Sequence, residues 1–322
     1  MKHVAIIGAG LSGLSCAKRL SADFKVTIFD KSRGVSGRMS TRYAGSFEFD
    51  HGAQYFTARD PDFQEQVLQA ISTGHIAPWQ GWAIYKKGGR IEEDHGSDRF
   101  VAIPRMNSWA KALAKGLNVK TGIRVIQLER SGEQWTLSDE QGVSYTGYDE
   151  VVLAIPPAQA EALLPHNTSI MAPVKAAKMD ACFALMLGFD NALNLGWTSL
   201  RVDSSPIAWI ARNNSKPARG TASTLMVHAD PAWSNAHADD DREKLMRVII
   251  DETSRITGMN AAQAVHKSLH RWLYASVASS PNQACLRDDD KKLTVCGDWC
   301  LGGRVENAWL SGRAAAQAIN GS

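Results

Sequence analysis

Residues 3–8 form an apolar run that ends in glycine, and behind it Leu11, Leu14, Ala17 and Leu20 recur at the spacing of one helix face. KVTIFD (25–30) is β-branched, so the chain opens with a predicted strand, a helix over 11–22 and a second strand. A glycine-bearing loop fills 31–42, and the short alternation FEFD follows at 47–50. Asp60 and Pro61 predict a helix start and a helix over 61–74, and NSWAKALAKG (107–116) predicts another, with Asn107 as its N-cap. GIRVIQLER, QWTLSDE and GVSYTGYDE read as a three-stranded meander over 122–150. EVVLAIPP (150–157) is a buried strand stopped by two prolines, expected to return to the first sheet. From about 175 to 280 the texture changes: DACFALMLGF, SPIAWIAR, STLMVHA and VHKSLHRWLYA predict a mixed or antiparallel sheet with one face covered, interrupted by a helix over 239–257. KLTVCGD (292–298) and VENAWLSGRAAAQAI (305–319) close the chain as strand and helix.

Composition narrows the classes. A chain of 322 residues with 44% hydrophobic and 21% charged content suits two domains or one large α/β unit. The net charge of +3, without a Lys/Arg block, argues against a nucleic-acid partner. DDDREK (239–244) reads as a solvated helix start. No run of 18 apolar residues occurs, so no membrane span is expected. The chain passes from Met straight into its first strand without a cleavage site, and the expected location is cytoplasmic. Five scattered cysteines make no disulfide framework, and CGDWC lacks a second Cys/His pair at ligand spacing, so no metal is expected. The nine histidines do not cluster along the chain.

Gly8, Gly10 and Gly13 form G-x-G-x-x-G between strand and helix, with Leu11 and Ser12 inside the turn. The first glycine permits the tight turn, the second lets a pyrophosphate reach the backbone, and the third lets helix and strand pack closely. The helix N-terminus then offers unpaired N–H groups to the phosphates. Asp30 ends the second strand where an acid grips a ribose hydroxyl, which suits an unphosphorylated ribose and hence FAD or NAD; Lys31 and Val125 are further cofactor-binding candidates. The fold class is therefore α/β: a discontinuous Rossmann-like nucleotide domain (1–60, 105–170, 285–322) and a mixed β-sheet substrate domain (61–104, 171–284).

SGRMSTR (36–42) resembles the second glycine signature, G-G-R-x-S-T, of flavoproteins in the amine oxidase superfamily, with Ser36 in place of the first glycine and Arg38 as a clamp over the pyrophosphate. Together DKSRGVSGRMS, GAQYFTARD, HRWLYA and CGDWCLGGRVENAWLSG resemble the bacterial renalases over essentially the whole chain; Asn307 after Glu306 departs from the family pattern, which tends to have Gly there. That resemblance implies FAD, a fold of p-hydroxybenzoate hydroxylase type, Asp298 at the ribityl or phosphate region, and a helix from Val305 facing flavin N1. It also implies the activity: 2- or 6-dihydro isomers of NAD(P)H are oxidised to NAD(P)+, and O2 reoxidises the flavin to give hydrogen peroxide. A dihydropyridine loses hydride without losing a proton, so no catalytic side chain is required and flavin N5 is the acceptor. In this picture Ala53 and Gln54 touch the flavin edge. Gln54, Tyr55, Phe56, Thr57 and Ala58 shape the wall for the nicotinamide, joined by Arg99, Phe100, Val101, Cys182 and Arg304. Trp272 and Tyr274 suit either an aromatic wall or sheet packing, and His270 reads as structural. Three alternatives stay open: an amine oxidase, for which Lys178 is the nearest candidate for a flavin-linked lysine; a desaturase or porphyrinogen oxidase; and a flavin-binding sensor without turnover.

Overall fold

The computed structural model describes residues 1–88, 90–94, 96 and 98–321. The apolar run His3–Ile7 is a central strand because both of its neighbours are as apolar as it is. It pairs in parallel with Lys25–Asp30 on one side and with Glu150–Leu153 on the other, as expected for a strand returning to the parent sheet. The full order of this six-stranded sheet is Leu286–Asp288, Leu293–Val295, Glu150–Leu153, His3–Ile7, Lys25–Asp30, Asn118–Thr121. Val4 and Ile6 pack on one face with Leu14, Ala17, Leu20 and Ile319, while Ala5, Ile7 and Phe29 pack on the other with Trp135, Leu137 and Trp299. The helices Leu11–Leu20 and Val305–Asn320 cross closely at Gly312, where a Cβ would lie 2.0 Å from the Ser12 carbonyl oxygen. The meander (Val125–Ser131, Gln134–Asp139, Ser144–Tyr148) forms its own antiparallel sheet.

The second large sheet has seven strands in the order His266–Ser279, Lys178–Phe189, Ser223–Ala229, Ile207–Arg212, Ser199–Val202, Ala83–Lys87, Arg90–Glu93. Phe183, Leu185 and Leu187 point to the face covered by helix Arg242–Thr257. Ala184, Met186, Ala211 and Met226 point the other way, into a cluster shared with Leu11, Met39 and Trp309. That alternation turns one face of the sheet toward the glycine turn and the C-terminal helix.

Two expectations shift. The helix expected at Asn107 spans Met106–Ala114, and Asn107 is buried inside it. Its cap is tertiary: Asp50 Oδ1 accepts the Met106 N–H at 3.1 Å, replacing the local Asx cap. The helix expected over 239–257 starts at Arg242, where Asp241 accepts the Lys244 N–H at 2.8 Å. Asn118–Thr121, Ala83–Lys87 and Ser199–Val202 carry no clear alternation and emerge as strands only through their neighbours.

Candidate functional site

The three glycines of the turn do different work. Gly8 has φ +109°, and a Cβ there would sit 2.3 Å from the Ala154 carbonyl oxygen; one on Gly13 would sit 2.0 Å from the Gly8 oxygen. These two are demanded by the fold. Gly10 has φ −74°, and a Cβ there would meet nothing within 4 Å, so its backbone faces open space. It caps helix Leu11–Leu20 without a side-chain hydrogen bond, leaving the first N–H groups free for an anion. Asp30 pins the turn, with one oxygen accepting the Ala9 N–H and the other the Ser32 N–H, both at 2.7 Å. Each oxygen retains a lone pair for a ribose hydroxyl. Lys31 reaches Gln159 at 3.1 Å, Val125 packs in the same cluster as Phe29, Leu11 is buried in the shared cluster, and the Ser12 hydroxyl donates to the Cys296 thiol at 3.0 Å.

Arg38 and Asp298 form a bidentate pair, one arm at 2.9 Å, and Arg38 also donates to the Ala275 carbonyl at 3.0 Å. The arginine loop, the C-terminal turn and the edge strand of the large sheet therefore meet at one guanidinium. Ser36, standing where a glycine is usual, adopts φ +112°. Helix Val305–Asn320 has no side-chain cap at its N-terminus and is approached through Gly302 and Gly303, with φ +94° and +79°. Arg304 is exposed, and among the described residues its guanidinium has no side-chain partner. Both carboxylates near it are engaged, Asp298 by Arg38 and Glu306 by the N–H groups of Arg59 (2.6 Å) and Asp60 (2.7 Å). Two uncapped helix N-termini, an open Gly10 and Arg38 fit the phosphates and the electron-accepting ring of FAD.

Ala53, Tyr55, Trp209, Trp272 and Val305 pack around one cluster between these elements. Tyr55 stands 5.5 Å from the Trp209 ring and 6.3 Å from Trp79, with the Arg99 guanidinium 4.7 Å from its centroid. Arg99 is itself committed to Asp94 (2.7 Å) and Ser199 (2.8 Å). Phe56 lies inward, 5.7 Å from Trp109, and its backbone pairs with half-buried Phe100. Val101 is wholly buried, so neither Phe56 nor Val101 offers side-chain surface to a ligand. Thr57 and Ala58 are half-buried. Cys182 lies within strand Lys178–Phe189, paired with Trp272 of the edge strand, its thiol pushed up to about 12 by burial. Lys178 is exposed.

Sequence reading missed two clusters beneath this wall. Asp50, Lys216 and Arg219 are all buried, with Lys216 Nζ 3.2 Å and Arg219 Nη2 2.7 Å from the same carboxylate oxygen. Lys216 also donates to Gln54 Oε1 (3.2 Å) and Asn213 Oδ1 (3.0 Å), while the Gln54 amide donates to the Gly52 (3.1 Å) and Asp50 carbonyls. Burial alone would raise Asp50, but Lys216 and Arg219 hold it well below the usual carboxylate range. The second cluster is His51, His228 and His270 around Trp272. The His51 ring stacks on Trp272 at 5.0 Å, and its carbonyl accepts from Trp272 Nε1 (2.9 Å) and from His228 Nε2 (3.2 Å). Burial, with neighbouring positive charge, lowers His51 to about 3 and His270 to about 4; burial also lowers His228 to about 4.

These histidines stay neutral in the fold while an unfolded chain would protonate them near 6.5. The unfolded state then binds more protons below that value, so their contribution is complete above pH ~6.5 and lost as pH falls toward ~4. The melting temperature is expected to fall steadily across that window. A flat profile between the two limits would contradict a buried neutral cluster.

A family model described as NAD(P)-binding Rossmann-like domain matches residues 6–70, and one described as flavin containing amine oxidoreductase matches residues 80–320. Renalase from Mus musculus is 24% identical over 324 aligned positions, covering 92% of each chain. Among solved structures, a candidate protoporphyrinogen oxidase from Exiguobacterium sp. 255-15 superposes with a TM-score of 0.81 at 12% identity, covering 99% of this chain and 98% of that one. Cyclohexylamine oxidase from Brevibacterium oxydans gives 0.77 at 15%, with the same coverage. The family model spans three quarters of the chain, so the chain is a flavin-dependent oxidoreductase and belongs to the flavin containing amine oxidoreductase family.

Proposed function

We propose that this chain is an FAD-dependent oxidase of 2- and 6-dihydro isomers of NAD(P)H, returning NAD(P)+ and, through O2, hydrogen peroxide. Its fold is then of p-hydroxybenzoate hydroxylase type, with the discontinuous nucleotide and substrate domains described above. The observation that carries this reading is the aromatic wall beside the cofactor elements, whose Arg99 is tied to Asp94 and Ser199. Tyr55, Trp209 and Trp272 are aromatic, the three histidines are uncharged, and Asp50 is locked in its ion cluster. Such a wall can stack a dihydropyridine and exclude water, and its three histidines, lowered to about 3 and 4, are weak proton acceptors. FAD, when bound, supplies a two-electron acceptor. The uncapped N-terminus of helix Val305–Asn320 would stabilise the negative charge that accompanies reduction. Similarity to mouse renalase along 92% of both chains supports the same reading.

Family membership favours amine oxidation as the second reading. That chemistry commonly uses a lysine linked through water to flavin N5. Lys216 is the buried candidate, but Asp50, Gln54 and Asn213 take all three of its ammonium donors. Anaerobic mixing of the yellow protein with a panel of dihydronicotinamide isomers and amines decides between the two. Rapid bleaching is expected with the 2- and 6-dihydro isomers, little with 4-dihydro NADH or amines, and little change across neutral pH. Bleaching by monoamines that rises steeply with pH would establish amine oxidation instead.

Arg304 then binds substrate. A charge-assisted hydrogen bond contributes roughly 1.5–3 kcal/mol, so Arg304→Ala is expected to weaken substrate affinity about ten- to a hundredfold with FAD still bound. Unchanged affinity and an unchanged limiting rate would place the substrate pocket elsewhere.

A further inference from the structure

Two thiols meet beneath the turn that carries Asp298. The antiparallel register pairs Asp288 with Leu293, Arg287 with Thr294 and Leu286 with Val295. Carried one residue further, it sets Cys285 opposite Cys296. The chain before Cys285 keeps alongside, since the Gln283 N–H donates to the Cys300 carbonyl at 3.0 Å, so Cys285 is bracketed against 296–299. Cys285 packs on the apolar cluster that contains Cys296 and Cys16, and all of these thiols are free. Directly opposed residues of an antiparallel pair have Cα atoms roughly 4.5–5.5 Å apart, inside the roughly 4.4–6.8 Å window of a disulfide.

We propose that Cys285 and Cys296 are a peroxide-responsive dithiol whose closure to a disulfide weakens FAD binding. Cys285 is the entry point because it is half-exposed while Cys296 is fully buried. The Cys285 sulfur attacks one oxygen of hydrogen peroxide, releasing water and leaving a sulfenic acid. The Cys296 sulfur then displaces the sulfenic hydroxyl, which departs as water with the Cys296 proton. Two thiols are oxidised, one peroxide is reduced, and two waters form. Burial raises both thiols, Cys296 to about 12, with Arg287 partly offsetting the rise at Cys285; the reaction is correspondingly slow.

The link to the cofactor is direct. Cys296 accepts the hydroxyl of Ser12, which lies in the glycine turn, at 3.0 Å. The next residue, Gly297, donates to Ser311 at 2.9 Å, and Asp298 holds Arg38. A bond to Cys285 swings the Cys296 sulfur away from Ser12 and pulls on the turn that orients Asp298.

The test exposes the FAD-loaded protein to hydrogen peroxide, quenches with catalase, and reads non-reducing peptide maps together with the FAD that survives gel filtration. A linked Cys285–Cys296 peptide two hydrogens lighter is expected. FAD affinity should fall by about tenfold, the equivalent of one lost hydrogen bond, and recover with dithiothreitol. Cys285→Ser should form no link and keep its FAD under the same exposure. A link from Cys285 to Cys16, separate sulfinic acids without a link, a linked protein with undiminished FAD, or a Cys285→Ser variant that loses FAD equally would each overturn the proposal.

Discussion

Asp50→Ala is expected to cost about 3–5 kcal/mol of folding stability, because it leaves two cations buried without their counter-charge. Asp50, Lys216 and Arg219 are at most 2% exposed in their side chains, so water cannot replace the lost carboxylate. The other carboxylate oxygen, Oδ1, accepts from Thr41 (2.7 Å) and from the Met106 N–H (3.1 Å), so a helix cap is lost as well. Against a total stability of about 5–15 kcal/mol, this is a large fraction, and a melting temperature lower by on the order of 10 °C is expected. Asp50→Asn keeps the shape and the Thr41 contact but also leaves both cations unpaired, so it should be nearly as damaging. Adding Lys216→Met to Asp50→Asn removes one stranded charge and should recover part of the loss, a coupling that a double-mutant cycle measures directly. A wild-type melting curve for Asp50→Asn would show that the cluster is not charged as described. The pH dependence has the matching sign. A carboxyl held well below its ordinary range contributes stability above pH ~4 that is lost as pH falls below it.

That cluster also marks the limit of what a single sequence discloses. Gly8, Gly10 and Gly13 were legible because their constraint is local: each glycine's reason lies within the turn or in the strand beside it. Asp60 as a helix start was legible for the same reason, accepting from Asp62 and Phe63 two and three residues on. Asp50 meets Lys216 and Arg219 across 166 and 169 residues, and nothing in NNSKPARG distinguishes those two from solvated loop charges. Likewise His51, His228 and His270 look scattered along the chain, and only the register of three strands sets them around Trp272. Asn107 shows the converse. Its residue type is a correct cap signal, but Asp50 occupies the cap from a distance and Asn107 is drawn inside the helix. Of the wall expected from the sequence, Tyr55 is half-buried against Trp209, whereas its neighbour Phe56 turns inward. The register of residue 56 against Phe100 decides which of two adjacent aromatics is which.

Gly10→Asp is expected to abolish FAD binding while leaving the apoprotein at least as stable as wild type. The substitution is sterically free: the backbone at Gly10 has φ −74° and ψ 177°, which any residue adopts, and a Cβ there would meet nothing within 4 Å. It is also favourable for the helix. Gly10 occupies the N-cap of Leu11–Leu20, and an aspartate there can accept from the free N–H groups of the first turn, where glycine is a weaker cap by a few tenths of a kcal/mol. Those same N–H groups are the ones a pyrophosphate needs. The carboxylate therefore fills the anion site with a charge of the wrong sign, and like-charge contact at a binding surface costs several kcal/mol, so a loss of more than about a hundredfold in FAD affinity follows. Gly13→Ala supplies the contrast, since its Cβ would lie 2.0 Å from the Gly8 oxygen and should damage folding and cofactor binding together. The measurement is the ratio of flavin to protein absorbance after purification, alongside the melting temperature of the FAD-stripped protein. A Gly10→Asp variant that purifies fully yellow would mean that the dinucleotide does not rest on this helix, and the site assembled from Gly10, Arg38 and Asp298 would fall with it.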